Sequence, residues 1–254
     1  MADVRIIPLG VGDAFSSRFY STCLALGVDD AWILIDCPHP IRKMLREGMH
    51  SAGMPRLDVD KISGVVLSHL HADHSSGLED MGFFLYFILG RRTKVMAHPE
   101  ISKELWDGSL WAGMGVSFES PGAPSVTRKF DDFFELIDLS YTEPVSFGPF
   151  SVECRRTFHT VPTTAFRISV AGKMLGFSAD TMYDQGLIDW LSPADFIIHE
   201  VTGLPQSTIH TPYARLMELP EELRRKMRLN HLPDSFDIEA SGIEPLREGH
   251  CYVI

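Results

Sequence analysis

The sequence predicts an α/β fold in which β-sheets form a sandwich covered by helices. Three observations favour this class. Strand-like runs give way to helical spacing and then return, so neither kind of element dominates. The chain lacks the glycine signature of the dinucleotide-binding, doubly wound folds. Its 254 residues, 44% of them hydrophobic, contain no repeat, low-complexity stretch or Pro/Ser-rich linker, which predicts a single domain.

Short runs rich in β-branched and aromatic residues predict the strands. The predicted strands are residues 4–10, 21–28, 31–36, 62–68, 94–97, 134–139, 147–156, 165–170, 173–178 and 196–199. Turns at Asp29-Asp30 and at Ala171-Gly172 join two neighbouring pairs into hairpins. The compact apolar run 62–68 indicates a buried strand.

Apolar residues at helical spacing predict the helices, as where Ile41, Met44 and Leu45 share one face. The predicted helices are residues 40–52, 78–89, 183–190 and 213–227, the last of them broken at Pro220. Residues 105–130 are rich in Gly, Ser, Pro and aromatic side chains and show no clear period. We interpret this segment as a lid or substrate loop, with a poorly ordered insert or a dimer contact as alternatives.

Composition excludes several classes of function. The net charge of −11 disfavours a general nucleic-acid binder, which needs excess Lys and Arg, but leaves a small anionic substrate open. The longest apolar stretch, residues 81–89, is too short to span a bilayer, and no secretory leader is recognisable, so we expect a cytoplasmic protein. The cysteines form no CxxC pair, and we expect reduced thiols. They are Cys23, Cys37, Cys154 and Cys251.

One short segment carries the strongest chemical signal. Directly after the predicted strand 62–68 come His69, His71, Asp73 and His74, all of them types of side chain that bind divalent metals. A regular helix would point residues two apart away from each other. A strand end that runs into a turn would instead place two ligands on each of two adjacent metals. Packing alone does not explain such a cluster.

This HxHxDH pattern resembles that of the metallo-β-lactamase superfamily, and the resemblance implies a four-layer αββα sandwich. It also implies three further ligands, which in order are His159, Asp180 and His231. One metal would then take His69, His71 and His159, the other would take Asp73, His74 and His231, and Asp180 would lie between them. Taken alone, Asp180 is equally explained as a structural turn residue.

Further segments resemble ribonuclease Z and related phosphodiesterases within that superfamily. They are LGVGDA at 9–14, LIDC at 34–37, IHEVT at 198–202 and HT at 210–211. The resemblance implies that His210 stabilises or protonates the leaving group, that Glu200 orients it, and that both act with Asp73 in catalysis. The alternatives are a helix-capping or strand-end carboxylate for Glu200 and a surface position for His210. We expect Asp36 to be a buried acceptor beside the metal histidines.

One departure from ribonuclease Z narrows the expected substrate. Only 21 residues (180 − 159) separate His159 from Asp180, which leaves room for one hairpin and none for the long basic arm that grips transfer RNA. Transfer RNA therefore becomes an unlikely substrate, and small phosphodiesters such as cyclic nucleotides become the better hypothesis. The remaining histidines are expected to be surface or core residues, although His39 follows Asp36 closely enough to approach the site. They are His39, His50, His98 and His250.

The sequence therefore predicts a hydrolase in which two divalent metals activate a hydroxide that attacks a small phosphodiester. Zinc fits the ligands best, with manganese or iron as alternatives. Hydrolysis of a carbonyl compound (a lactone, thioester or β-lactam) on the same centre is the second hypothesis. A non-catalytic binding module is the third, and it is disfavoured because none of the seven ligand positions is lost. The apolar final residues 251–254 indicate either an edge strand or a subunit contact, so a homodimer is possible.

Overall fold

Two β-sheets packed face to face form the centre of the molecule. The computed structural model describes residues 2–254, and within that range one sheet has seven strands, the other has six, and a separate hairpin has two. In chain order the strands are β1 (Val4–Gly10), β2 (Cys23–Val28), β3 (Ala31–Ile35), β4 (Ile62–Val66), β5 (Thr93–Ala97), β6 (Val116–Phe118), β7 (Ser125–Thr127), β8 (Phe134–Asp138), β9 (Val145–Phe147), β10 (Phe150–Arg156), β11 (Thr164–Val170), β12 (Lys173–Phe177), β13 (Phe196–Glu200), β14 (Met227–Asn230) and β15 (Tyr252–Val253).

Helices cover both outer faces of the sandwich. They are α1 (Ile41–Ser51), α2 (Ala72–Ser75), α3 (Gly77–Phe83), α4 (Pro99–Leu105), α5 (Trp111–Met114), α6 (Phe130–Phe133), α7 (Gln185–Leu191), α8 (Tyr213–Met217) and α9 (Glu221–Lys226), with π-helical turns at Phe84–Ile88 and Trp106–Leu110 and a 3₁₀ turn at Val59–Lys61.

The order of the strands and two buried clusters define four layers. The first sheet runs β15-β1-β2-β3-β4-β5-β8 and the second runs β14-β13-β12-β11-β10-β9. Between the sheets lies one apolar core, in which Leu24 and Phe166 are fully buried. On the other face of the first sheet, Leu34 packs in a second core with Met44 of α1. Leu191 of α7 lies close to Gly176 of the second sheet. The predicted αββα sandwich is therefore confirmed.

One predicted strand was wrong for a reason in its backbone, whereas the predicted break in helix 213–227 is confirmed. Residues 147–156 form not one strand but the end of β9, a turn and β10, because Gly148 adopts φ +55° and Pro149 has no N–H to donate. The predicted helix 213–227 is two short helices, as the break at Pro220 implies, and Met227 already belongs to β14. This last strand pairs in parallel with β13, an interaction that helical spacing alone does not reveal.

Residues 105–130 are more regular than their composition suggested. They contain the π-helical turn, α5, the β6–β7 hairpin and the start of α6. At the end of the chain, β15 pairs antiparallel with β1, so the edge-strand alternative for residues 251–254 is confirmed. All four cysteines are free thiols, and Cys23, Cys37 and Cys154 are buried. Across residues 2–254, every helix is too short or too polar to cross a membrane.

The fold collects the candidate site residues at one end of the sandwich. Strands β3 and β4 run parallel in the first sheet, and β12, β13 and β14 run parallel in the second. Asp36, Asp180 and His231 each follow the carboxyl end of one of these strands. The backbone N–H of Thr164 donates to the carbonyl of Ser68 (3.0 Å), which joins the two sheets beside the site. Residues far apart in sequence are thereby brought together.

A close backbone approach holds this end of the first sheet. Gly77 donates its N–H to the carbonyl of Cys37 (2.8 Å), and a Cβ atom at Gly77 would lie 2.3 Å from the carbonyl oxygen of Pro38. Since neither backbone can move without displacing the neighbouring strand end, Gly77→Ala should destabilise the protein by about 1–3 kcal/mol. Urea unfolding measures this loss. The control is Gly203→Ala, which meets no atom within 4 Å, and equal stability of the two variants would refute the constraint.

Candidate metal centre

The segment from Ser68 to His74 leaves β4 and enters α2, a single helical turn. His71 stands just before that turn with extended backbone angles (φ −61°, ψ 146°). The N–H of His74 donates to the carbonyl of His71 (3.0 Å), and the carbonyl of His74 accepts from Cys37 (2.8 Å). The local structure is thus the strand end and turn that the sequence predicted, and it is fixed to the end of β3.

Three imidazole nitrogens converge on one point. Nδ1 of His71 lies 3.1 Å from Nε2 of His69 and 3.1 Å from Nε2 of His159. The Asp180 carboxylate closes this group, with its Oδ2 3.9 Å from His69 Nε2 and 3.8 Å from His159 Nε2. The four ligand atoms lie within 4.8 Å of one another, a spacing that can accommodate a metal ion.

A second group lies on the other side of the same carboxylate. Nε2 of His74 is 3.3 Å from Oδ2 of Asp73 and 3.5 Å from Oδ1 of Asp180. Nε2 of His231 is 3.4 Å from Oδ2 of Asp180. Asp73, His74 and His231 form a second set of ligand atoms within 4.8 Å. Asp180 therefore lies between the two groups, and its position agrees with the bridging position expected from the sequence.

Each of the five histidines is held in place by its other ring nitrogen. The partners are Ser68 Oγ for His69 (2.9 Å), Thr160 Oγ1 for His71 (3.4 Å), Asp36 Oδ2 for His74 (2.8 Å), the Ile209 carbonyl for His159 (3.2 Å) and Thr22 Oγ1 for His231 (3.2 Å). Such partners fix which nitrogen faces the centre and how the ring is turned. The five inward-facing nitrogens are thus oriented before any ligand binds.

Asp36 lies where the sequence analysis placed it and makes more contacts than expected. Its carboxylate accepts hydrogen bonds from the Ser68 N–H (2.7 Å) and the Ser68 hydroxyl (2.8 Å), in addition to His74 Nδ1. Its side chain is fully buried and its φ is +61°, a left-handed conformation that is uncommon outside glycine. The backbone of Asp36 is strained so that one carboxylate can hold both ends of the histidine segment.

Burial governs protonation in the cluster. Burial lowers the pKa of His69 and His231 well below the usual range, and it lowers the pKa of His159 to about 4. These rings are therefore neutral at physiological pH, with a lone pair free to bind a cation. Burial raises the pKa of Asp180 to about 7, although His74 opposes the shift. Desolvation thus disfavours a charged Asp180 unless a positive charge is present nearby.

The donor set fits divalent cations. His74 Nε2 is buried and has no hydrogen-bond partner, although it lies between two carboxylates. In the described part of the chain, neither Asp73 nor Asp180 forms an ion pair with Lys or Arg. Five nitrogens and two carboxylates that converge without a Lys or Arg partner match the chemistry of zinc and similar metals. The residues present can therefore hold metal at both groups.

Glu200 and His210 form a pair beside the two groups. His210 Nδ1 lies 3.4 Å from Glu200 Oε1, and the same oxygen accepts from the N–H groups of Thr181 (2.9 Å) and Thr211 (3.1 Å). The His210 ring centroid is 5.5 Å from that of His159 and 5.2 Å from that of His231. Burial lowers the pKa of His210, but the Glu200 carboxylate outweighs it and the net shift is upward.

The structure brings together all the predicted site residues and leaves the other histidines apart. A third possible group consists of Asp180, His210 and His231. No metal-sized group within residues 2–254 includes His39, His50, His98 or His250. Sequence analysis missed Thr22 and Thr160, which hold two of the rings. A lone threonine far from the motif carries no recognisable signal, and only the fold reveals its role.

A family model described as anti-Pycsar protein Apyc1 matches residues 4–247. This chain belongs to the anti-Pycsar protein Apyc1 family. An Apyc1 relative from Paenibacillus sp. (strain J14) is 27% identical over 258 residues, covering 99% of each chain. Among other relatives, the cAMP/cGMP-dependent 3′,5′-cAMP/cGMP phosphodiesterase B of Dictyostelium discoideum is 28% identical over 206 residues, covering 74% of this chain and 17% of that protein.

Solved structures place this Apyc1-family chain in a wider fold group. The metallo-β-lactamase fold protein YhfI from Bacillus subtilis superposes with a TM-score of 0.75 at 17% identity, and 99% of each chain is covered. The predicted resemblance to metallo-β-lactamase fold proteins, with a human short-form tRNase Z and yeast PDE1 among the similar structures, is therefore confirmed at the level of the fold. At that level of identity the structural likeness concerns the fold alone.

The contacts of Asp36 give a prediction about metal affinity. Asp36→Asn keeps the size of the side chain but removes the negative charge beside His74 and Ser68, so zinc affinity should fall by about 10- to 100-fold. Competition with a chromophoric chelator measures the dissociation constants. The matched control is Asp58→Asn, which replaces a half-exposed aspartate that pairs with Arg42. Unchanged zinc affinity in Asp36→Asn would show that its charge does not support the site.

Proposed function

We propose that this chain is a two-metal phosphodiesterase that hydrolyses 3′,5′-cyclic nucleotides. The observation that carries the proposal is the Glu200–His210 pair beside the two ligand groups, because cleavage of a phosphodiester requires a proton for the departing alkoxide. A thioester hydrolase on the same centre would not require this pair, because a thiolate departs without a proton. The name of the Dictyostelium relative, a phosphodiesterase of cAMP and cGMP, supports the same substrate class.

We assign two divalent cations, preferably zinc, to the two groups. The first would be held by His69, His71 and His159, and the second by Asp73, His74 and His231, with Asp180 shared. When bound, such ions polarise a phosphate oxygen and lower the pKa of water enough to supply a hydroxide nucleophile. Manganese or iron would fit the same donors less specifically.

The protein's own groups hold and move the protons. Burial would raise the pKa of Asp73, but the His74 imidazole 3.3 Å away outweighs it and the net shift of the pKa is downward, so Asp73 stays ionised. We assign Asp73 as the acceptor that orients the attacking water. The Nδ1 of His210 faces Glu200, which leaves Nε2 as the nitrogen able to donate a proton to the leaving oxygen. The Glu200 carboxylate would stabilise the imidazolium before that transfer.

The surroundings of the centre favour a small substrate. Between His159 and Asp180 the described chain contains β11, a two-residue turn at Ala171-Gly172 and β12, with no basic arm. The overall charge of −11 also opposes binding of a polyanion such as transfer RNA. A cyclic nucleotide carries one negative charge, which the proposed metals can neutralise. A single-domain organisation, a cytoplasmic location and homodimer formation stay predictions.

Removal of the shared carboxylate should abolish the activity. Asp180→Ala deletes a ligand common to both groups, so hydrolysis of cyclic AMP and of bis(p-nitrophenyl) phosphate should fall below detection. Elemental analysis of the same samples should show less than two metal ions per chain, since both groups lose an oxygen donor. Asp189→Ala, which removes an exposed aspartate of α7, serves as the control. Full activity in Asp180→Ala would refute the assignment of Asp180 as a ligand shared by both groups.

The proposed proton donor should behave differently from the ligands. His210→Ala should lower kcat by about 10²- to 10⁴-fold while the metal content stays unchanged. Bis(p-nitrophenyl) phosphate, whose p-nitrophenolate departs without a proton, should lose much less activity than cyclic AMP. Glu200→Gln should also lose more activity on cyclic AMP than on bis(p-nitrophenyl) phosphate, and both losses should be smaller than in His210→Ala. Equal losses on both substrates would contradict a role in protonating the leaving group. Wild-type activity confined to lactones or thioesters would favour the carbonyl-directed alternative.

A further inference from the structure

The connection from β1 to β2 presents an aromatic side chain to solvent. Phe15, in this loop, is 92% exposed, the largest exposed fraction among the large hydrophobic residues within residues 2–254. A fully exposed phenylalanine lacks the free energy that burial of its ring would provide. A single exposed hydrophobic side chain is common on protein surfaces, so its position and rigidity decide whether it has a role.

Hydrogen bonds show that the loop is held in one conformation. The carboxylate of Asp234 accepts from the Ser16 hydroxyl (2.5 Å), from the Ser17 N–H (2.9 Å) and hydroxyl (2.5 Å), and from the Arg18 N–H (3.2 Å). On the other side of Phe15, its own N–H donates to Asp13 Oδ1 (3.0 Å). Phe15 is therefore presented by a fixed turn rather than exposed by fraying.

Both ends of this loop contact the chain around His231. At its start, Gly12 bridges to Leu232 and the N–H of Asp13 donates to the Leu232 carbonyl (3.1 Å). At its end, the Thr22 hydroxyl lies 3.2 Å from His231 Nδ1. The loop that carries Phe15 therefore leaves from and returns to the neighbourhood of one candidate ligand.

Three further exposed apolar side chains lie next to candidate site residues in the sequence. Phe158 precedes His159, Ile209 precedes His210 and Met182 follows Asp180 by two residues, and all three are exposed. The N–H of Met182 donates to the Phe158 carbonyl (2.9 Å), so two of these residues are neighbours in space. The guanidinium of Arg18 is directed to the Asp234 carbonyl (3.3 Å). An uncharged, flat part of a substrate suits these apolar side chains.

We propose that Phe15 stacks on the nucleobase of the substrate while its phosphate lies at the metal groups. This inference rests on the proposed function and adds a residue that determines specificity. Every nucleobase has a π-face, so an aromatic platform favours base-bearing substrates without choosing strongly between purines and pyrimidines. The geometry therefore points to an enzyme that requires a base but tolerates several.

The test compares cyclic AMP with a base-free analogue, 1-deoxyribose 3′,5′-cyclic phosphate, on the metal-loaded full chain. We expect the wild type to favour cyclic AMP in kcat/KM by about tenfold or more, the size of one base–aromatic stack. Phe15→Ala should remove this preference mainly through KM, because stacking stabilises the bound substrate and the transition state alike. Phe15→Leu should lose it too, and Phe15→Trp should keep it.

The outcomes distinguish a stacking role of Phe15 from a merely structural role, and failure of this inference from failure of the proposed function. Equal losses on both substrates in Phe15→Ala, or a preference retained in Phe15→Leu, would overturn the stacking role. A wild type that hydrolyses neither substrate overturns the proposed function, and the inference with it. A wild type that hydrolyses both equally refutes the inference alone. Melting temperature and metal content, measured for all variants, should match the wild type because Phe15 is almost fully exposed.

Discussion

The structure of the centre depends on the hydrogen bonds accepted by one buried carboxylate. Asp36 holds the backbone and hydroxyl of Ser68 at one end of the histidine segment and the ring of His74 at the other. A buried carboxylate is stable only when its oxygens are satisfied, so the segment and the end of β3 fix each other. The strained backbone of Asp36 is a cost that these three hydrogen bonds offset.

The other four histidine rings are held by hydrogen bonds as well, but their partners are uncharged. Hydroxyl or carbonyl groups hold His69, His71, His159 and His231, whereas His74 alone has an anionic partner. His74 is also the ring whose pKa rises well above its usual range, because burial is outweighed by the Asp180 and Asp36 carboxylates. His69, His71 and His159, whose pKa values burial lowers, form one group, whereas the other contains Asp73 and the His74 ring with its raised pKa beside His231. The two groups therefore differ in electrostatic character.

Structural features set by residues close together in the sequence were predicted well, and contacts between residues far apart in the sequence were not. The histidine segment is local, and its spacing after an apolar strand predicted its geometry as a strand end and turn. Asp180 and His231 were assigned by order and resemblance, and the structure places each after the end of a strand. Thr22 and Thr160 were missed because contacts across 209 and 89 residues leave no local pattern. The strand after α9 was missed for a related reason, since its pairing with β13 is decided between segments.

The placement of the two groups has a consequence for how the protein unfolds. Each group takes atoms from both sheets, with His69, His71, Asp73 and His74 supplied after β4 of the first and His159, Asp180 and His231 after strands of the second. Ions bound there would act as cross-links between the halves of the sandwich. Separation of the sheets would then require loss of the ions, so metal binding would be linked to the global unfolding equilibrium rather than to the motion of a loop.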